Sequence, residues 1–458
     1  MAVREIVPGV SWIGAIDWDR RLFDALIPLP EGTSYNAYLV RGSEKTALID
    51  TVDPTKEFEY ICNLVRAGVD TVDYIIMNHA EQDHSGTIPM ALELFPGALL
   101  VTSEKGKDLA VSLLEVPPER IQVVADRETI SLGDRTLEFI MAPWVHWPET
   151  MLTYLQEDRI LFPCDLFGSH LATGDLFVPD IAPIRHSVKR YYAEIMMPFR
   201  TTIAGHLDKI SPLDIDIIAP SHGPLHKPPA SVLSAYRDWV SDDVKNEVVI
   251  VYVSMHGSTE KMVDHLAGSL MEQGVKVTVF NLPATDLGEL AMSLVDAATI
   301  VLGTPTMLFG PHPHMVNAAY MTNALRPKAR FGAVIGSYGW GGNTVETLKG
   351  MLGKLNLKLL DPIGYLDTIC FEENARFVLT DSGGIQEETT FLGVPCLTLR
   401  PNTERPITIS QGTNKLTSLG ALEEDFNFVL NGHQPSARIP ELWDGKTAER
   451  IIGILAKS

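Results

Sequence analysis

His79, Glu81, Asp83 and His84 stand within one six-residue run, His79-Ala80-Glu81-Gln82-Asp83-His84. Imidazole nitrogens and carboxylate oxygens at this density can ring a small volume, and the donor set suits iron, manganese or zinc. Three further stretches offer one ligand each. His146 lies in Pro143-Trp144-Val145-His146-Trp147, Asp165 closes Leu161-Phe162-Pro163-Cys164-Asp165, and His222 ends Ile217-Ile218-Ala219-Pro220-Ser221-His222-Gly223. A lone histidine of this kind is usually structural. Four clusters in this order, each delivering its ligand where an apolar run gives way to a loop, point to a metal centre.

The elements that must position these residues are strands. Tyr74-Ile75-Ile76-Met77 precedes the six-residue run, Leu137-Glu138-Phe139-Ile140 precedes His146, and Gly86 helps the chain turn away. Asn36–Val40 and Thr46–Asp50 read as paired early strands, 56–66, 105–115 and 229–241 as helices, and Ser187–Phe199 as helical with Tyr191 and Tyr192 on it. His170 has no matching ligand role and reads as a residue behind the ligands or at the surface. Asp242–Asn246 is a polar linker, and a different pattern begins at Glu247.

Val248–Val253 is a continuous apolar run, as expected of a central parallel strand. It runs into Ser254-Met255-His256-Gly257-Ser258-Thr259 and then a helix over 260–273. Strand, hydroxyl-rich loop and helix make an anion site, because backbone N–H groups and the helix N-terminus attract phosphate. No Gly-Lys-Ser/Thr ending follows, so this is not a nucleoside-triphosphate loop. The alternation continues through a strand at 275–280, a helix at 287–294, strands at 298–303 and 330–336, a helix at 344–355 and a strand at 357–360. That pattern predicts a doubly wound parallel sheet, with ligands at the carboxyl ends of its strands. Two more loops sit there: Thr304-Pro305-Thr306 and Ser337-Tyr338-Gly339-Trp340-Gly341-Gly342. Their glycines let the backbone approach a flat ring on which an aromatic can stack.

His-x-Glu-x-Asp-His followed by His, Asp and His resembles the metallo-β-lactamase-like domain of flavodiiron proteins; the zinc hydrolases of that superfamily carry a histidine where Glu81 stands. The three loops resemble flavodoxin, and the likeness covers roughly 1–364. It implies an α/β chain: a metallo-β-lactamase-like αββα sandwich over 1–245, then a flavodoxin-like FMN domain over 246–364. It also implies two non-haem irons. His79, Glu81 and His146 would hold one, Asp83, His84 and His222 the other, and Asp165 would bridge them. A tyrosine of the 187–199 segment approaches the irons in this family, and Tyr192 is the residue favoured here. The activity implied is reduction of O2 to water or of NO to N2O, with electrons from rubredoxin or a similar small carrier, in a head-to-tail homodimer. A two-metal hydrolase with an accessory flavin domain is the alternative, and Glu81, a harder ligand than histidine, argues against it.

After 364 the pattern breaks. Asn374–Glu388, with Ser382-Gly383-Gly384 and Glu388, resembles the C-terminal part of non-hydrolysing UDP-N-acetylglucosamine 2-epimerases, as do Leu392–Cys396 and Thr403-Glu404-Arg405-Pro406. In that family the Ser-Gly-Gly binds diphosphate and the glutamate binds ribose. The half carrying the family's acid/base residues is absent, so neither epimerisation nor firm nucleotide-sugar binding is expected of 365–458. Tyr365–Glu373 has helical spacing and is expected to replace the final helix of the flavodoxin-like sheet. The Asp361-Pro362-Ile363-Gly364 join reads as recombination or an assembly error in the gene sequence.

Composition narrows the classes. The 458 residues hold 37 Lys+Arg against 58 Asp+Glu, a net charge of −21, which argues against nucleic acid and anionic membranes. No apolar run approaches the ~18 residues of a membrane span. The start shows no signal-peptide pattern, so the cytoplasm is expected. Cys62, Cys164, Cys370 and Cys396 are scattered, without the Cys-x-x-Cys pairs of a built-in rubredoxin.

Overall fold

Strict inside–outside alternation along the early strands sets the architecture of the first half. Leu48 and Ile75 face a layer of helices, whereas Ala47, Ile49 and Ile76 face a second sheet. The computed structural model describes residues 3–337, 342–359, 365–431 and 438–455. It divides into two compact units, 1–360 and 361–458.

The first unit opens with two seven-stranded sheets packed face to face. One runs in the order Arg4–Val7, Val10–Trp12, Tyr38–Arg41, Thr46–Ile49, Tyr74–Ile76, Leu99–Thr102, Ile121–Val123. The other runs Thr129–Ser131, Thr136–Met141, Met151–Leu155, Ile160–Phe162, Ile217–Ile218, Leu225–His226, Phe177–Val178. Val10, Trp12, Val40 and Ile76 meet Phe139, Leu155, Phe162 and Ile217 between them. Helix Glu57–Arg66 covers the outer face of the first sheet through Tyr60 and Leu64. Helices Arg185–Tyr191, Arg200–Ile210 and Ala230–Val240 cover the second through Val188, Ile203 and Trp239. This is the expected αββα sandwich.

The chain then builds a wholly parallel five-stranded sheet from β1 (Lys245–Tyr252), β2 (Lys276–Asn281), β3 (Ala297–Gly303), β4 (Phe331–Ile335) and β5 (Lys358–Leu359), in the order 2-1-3-4-5. The crossovers are α1 (Ser258–Glu272), α2 (Leu287–Leu294), α3 (Pro313–Leu325) and α4 (Thr344–Met351). Helix α3 is absent from the sequence reading, which passes from the third strand directly to the fourth. Its buried face, Met315, Ala318, Ala319, Thr322 and Leu325, has helical spacing. The helix carries no Asp, Glu, Lys or Arg and exposes Tyr320, so its two faces contrast little. The core under the second sheet continues into this layer through Val249, Val251, Ala291 and Ala319.

The second unit has three parallel strands, β6 (Val378–Thr380), β7 (Cys396–Leu399) and β8 (Asn414–Thr417), in that order. Helix α5 (Tyr365–Asn374) packs against α6 (Gly383–Leu392) within this unit. The segment expected to complete the five-stranded sheet therefore groups with the epimerase-like residues instead. The sequence reading paired it with the five-stranded sheet because helical spacing does not say which neighbour a helix meets.

Candidate metal centre

The six-residue run leaves the carboxyl end of Tyr74–Ile76, an inner strand of the first sheet. Asp50 accepts Asn78 N at 2.8 Å and Asn78 Nδ2 at 3.0 Å, and Thr153 Oγ1 donates to Asn78 Oδ1 at 2.7 Å. These bonds tie the start of the run to strands on both sheets. Gln82–Ser85 then forms a single helical turn, closed by Ser85 Oγ on the Ala80 and Glu81 carbonyls. The turn sends Asp83 and His84 to the same side as His79 and Glu81.

All seven predicted ligands converge, in two groups. In the first, Glu81 Oε2 lies 3.2 Å from His79 Nε2 and 3.1 Å from His146 Nε2, and Asp165 Oδ2 lies 3.6 and 3.4 Å from the same two nitrogens. In the second, Asp83 lies 3.3 Å from His84 Nε2 and 3.1 Å from His222 Nε2, while Asp165 Oδ1 lies 3.0 and 3.3 Å from them. Candidate ligand atoms of His79, Glu81, His146 and Asp165 lie within 4.8 Å of one another, as do those of Asp83, His84 and His222. Each oxygen of Asp165 thus faces a different pair of histidines.

A pair of cations fits this arrangement. Both oxygens of Asp83, both ring nitrogens of His84 and Oδ2 of Asp165 are buried without a hydrogen-bond partner. Leaving such groups unsatisfied is costly unless something else binds them. Burial pushes the Asp165 carboxyl up, yet His84, His146 and His222 outweigh it and hold it well below the carboxylate range. Burial likewise lowers His146 and His222, but the carboxylates win and raise them to about 9 and about 10. The cluster demands positive charge.

Hydrogen bonds behind the ligands fix which ring nitrogen faces inward. His79 Nδ1 lies 2.7 Å from Glu149 Oε1, and His222 Nδ1 lies 2.7 Å from the Ser34 carbonyl, leaving both Nε2 atoms for the centre. Glu149 was not singled out in the sequence; its signal is its place three residues after His146. His170 is not at the surface. It is buried, with Nδ1 2.9 Å from Thr33 Oγ1, and its ring lies against those of Tyr191 and His222.

The tyrosine at the cluster is Tyr191, not Tyr192. Tyr191 donates its hydroxyl to Asp165 Oδ1 at 2.8 Å. Tyr192 turns the other way and packs on Tyr236 and Trp239. Successive helical residues point about 100° apart, and the chain widens into a π-helix over Tyr192–Met196.

The anion-binding loops lie at the carboxyl ends of β1, β3 and β4. Gly257, at a φ of 80°, accepts the reversal before α1 and donates its N–H to Ser254 Oγ at 3.0 Å. No side chain caps α1, so its first N–H groups are open to an anion. Helix α1 starts at Ser258, two residues earlier than predicted. Ser258 Oγ lies 3.3 Å from Ser337 Oγ, and Thr306 N donates to the Ser337 carbonyl at 2.8 Å, which draws the three loops together. Met255 and His256 are exposed beside them, and Gly342 backs onto Thr306. The Thr259 and Thr304 side chains are buried, so those residues face the cradle through their backbone; Pro305 continues the loop. Tyr338, Gly339, Trp340 and Gly341 lie outside the described residues, as do Asp361–Gly364. A phosphate and a flat ring fit this cradle of open N–H groups and glycine.

In the second unit, Ser382, Gly383 and Gly384 open α6 at the strand ends beside a cleft of ≈ 650 Å³ lined by Asp381, Arg400 and Ser418. A Cβ on Gly383 would come within 2.6 Å of Glu404 Oε1, so a carboxylate already stands against this helix start. Glu388 lies by Glu372, whose carboxyl burial and Glu388 both raise.

Comparison with known proteins agrees with both halves of the first unit. A family model described as ODP family beta lactamase matches residues 33–223. One described as UDP-N-acetylglucosamine 2-epimerase matches 299–456, reaching back from the second unit into the five-stranded sheet. The type A flavoprotein fprA of Rhodobacter capsulatus is 36% identical over 368 residues, covering 78% of this chain and 85% of that protein. A nitric oxide reductase of Moorella thermoacetica is 36% identical, covering 78% and 90%. The solved structure of rubredoxin oxygen:oxidoreductase from Desulfovibrio gigas superposes with a TM-score of 0.74 at 30% identity, over 78% of this chain and 91% of that one.

Proposed function

This chain belongs to the flavodiiron family of A-type flavoproteins, and from that premise we propose that it is an oxidoreductase reducing O2 to water, NO to N2O, or both. Proteins of this family carry FMN and a non-haem diiron centre. The observation that carries the reading is the Asp165 carboxylate, whose two oxygens each face one half of a seven-ligand cluster. When bound, FMN supplies the entry for electrons and the iron pair the redox centre at which the diatomic substrate is reduced.

The division of labour we infer follows from the geometry. His79, Glu81 and His146 would hold one iron and Asp83, His84 and His222 the other, with Asp165, whose two oxygens face the two sets, offering a ligand to each. Glu81 in place of a further imidazole makes three carboxylates, which offset much of the charge of two ferrous ions and favour iron over zinc. Glu149 and the Ser34 carbonyl keep the Nε2 atoms of His79 and His222 aimed inward. Tyr191 donates its hydroxyl to Asp165, the carboxylate that faces both sets of ligands. Burial and Asp165 keep that phenol protonated far above its ordinary range. On the flavin side, Ser254–Thr259 and the start of α1 would take the phosphate, and Thr304–Thr306 with Ser337 and Gly342 would line the place of the ring.

We further infer the domain division 1–245, 246–364 and 365–458, a cytoplasmic location, a rubredoxin-like electron donor and a head-to-tail homodimer. Exposed apolar residues at both rims support the dimer: Trp144 beside His146, and Leu308 and Phe309 beside the flavin loops. Each rim gains cover if the two sites meet across copies. No helix among the described residues is long and apolar enough to cross a membrane. The test is consumption of O2 and of NO by anaerobically prepared protein supplied with reduced rubredoxin, together with sedimentation. Turnover with at least one gas by a dimer is expected; absence of both activities in iron- and FMN-loaded protein would overturn the reading.

A further inference from the structure

In a chain with 58 acidic and 37 basic residues, one cleft of ≈ 380 Å³ is lined by five cations and no carboxylate: Arg200, Arg326, Lys328, Arg330 and Lys354. Arg326–Arg330 precede β4 and Lys354 precedes β5, so the cleft lies at the amino ends of the parallel strands, opposite the flavin loops. Arg200 comes from the metal-binding half, at the start of helix Arg200–Ile210.

Part of this charge has a structural task. Arg200 Nη1 donates to the carbonyls of Val240 and Ser241 at 2.8 and 3.1 Å and to Asp242 Oδ1 at 2.8 Å. Lys328 Nζ donates to the Asp238 carbonyl at 3.2 Å, and Arg330 to that of Asp242 at 3.0 Å. These answer the C-terminal end of helix Ala230–Val240, and Arg326 and Lys354 stand near the ends of α3 and α4. A helix C-terminus carries about half a negative charge. Three such ends and Asp242 together supply about two and a half negative charges against the five lining cations; Asp238 and Asp296, which also act on Lys328, are themselves paired with Lys245 and Lys189. Roughly two positive charges are left over, the complement of a phosphate group.

The leftover charge is in the right places. Lys328 is only 8% exposed, and among the described residues the carbonyl of Asp238 is its one hydrogen-bond partner. Burial lowers its ammonium, outweighing the nearby Asp296 and Asp238 carboxylates that raise it. The side chains of Arg326 and Lys354 make no hydrogen bond or ion pair among the described residues, and both are exposed at the mouth. Arginine forks suit phosphate oxygens bidentately, and the volume is that of a small-molecule site. We propose that this cleft binds a small molecule carrying a diphosphate, either inorganic pyrophosphate or a nucleoside diphosphate.

The experiment is calorimetric titration of the iron- and FMN-loaded protein with inorganic pyrophosphate and, separately, with ADP, at constant ionic strength. Arg326→Ala/Lys354→Ala is titrated alongside, with its iron and FMN contents measured as the control for folding. One saturable site per chain is expected, weakened about tenfold or more in the double variant. Equal affinity for both probes assigns the site to the diphosphate alone; preference for ADP assigns it to a nucleotide. Absence of saturable binding by either probe, binding unchanged in the double variant, or equal competition by sulfate at matched ionic strength would overturn the proposal.

Discussion

Asp165 faces both halves of the candidate centre, and Tyr191 donates a hydrogen bond to it. A hydrogen bond to a charged group is worth about 1.5–3 kcal/mol. Tyr191→Phe should therefore slow turnover by about tenfold or more with iron and FMN retained, whereas Tyr192→Phe should leave turnover unchanged. Steady-state rates with metal and flavin counts check both, and the reverse order of effects would return the role to Tyr192. The choice between these neighbours was not legible in the sequence, because it depends on helix phase and on the π-helix that starts at Tyr192. The candidate ligands were legible for the opposite reason: four of them share one short run, and the other three follow apolar runs. Glu149 was passed over because its one signal, its place three residues after His146, does not say that it faces His79 rather than solvent.

At the scale of the element, the flavin cradle depends on how closely its loops approach. A Cβ on Gly336 would lie 1.8 Å from the Thr304 carbonyl oxygen, so the loops after β3 and β4 must separate in Gly336→Ala. FMN affinity should fall by about an order of magnitude, with iron content unchanged, as fluorescence titration of released flavin would report. Strand Leu225–His226 carries a second test. Burial lowers the His226 imidazole to about 4, and its Nε2 lies 2.9 Å from the Phe167 carbonyl. Between about pH 6.5 and 4 the unfolded chain binds a proton that the native chain refuses, so stability falls as pH falls. The contribution is complete above about pH 6.5, and at most about 3 kcal/mol of it is lost by pH 4. His226→Gln should lose correspondingly less stability than the parent over that window in denaturant titrations; parallel losses would show that His226 does not titrate as argued. Strands and amphipathic helices were readable from period, while α3, without Asp, Glu, Lys or Arg and with small and hydroxyl residues on its buried face, was not.

At the scale of the whole molecule, the order of parts was readable because each carries its own loop chemistry. The placement of α5 was not, since helical spacing says that a helix forms and not which sheet it serves. With α5 packed on α6 in the second unit, truncation after Gly364 should yield soluble protein with its iron and FMN. Loss of flavin or precipitation would mean that the tail has become part of the flavodoxin-like fold. The central claim is that the seven ligands hold iron for reduction chemistry rather than zinc for hydrolysis. Its most direct test is metal and flavin quantification on anaerobically expressed protein and on Asp165→Ala. We predict about two irons per chain in the parent, with iron and reductase activity lost and FMN kept in the variant. Two zincs in the parent, or unchanged reduction of O2 and NO by Asp165→Ala, would contradict it.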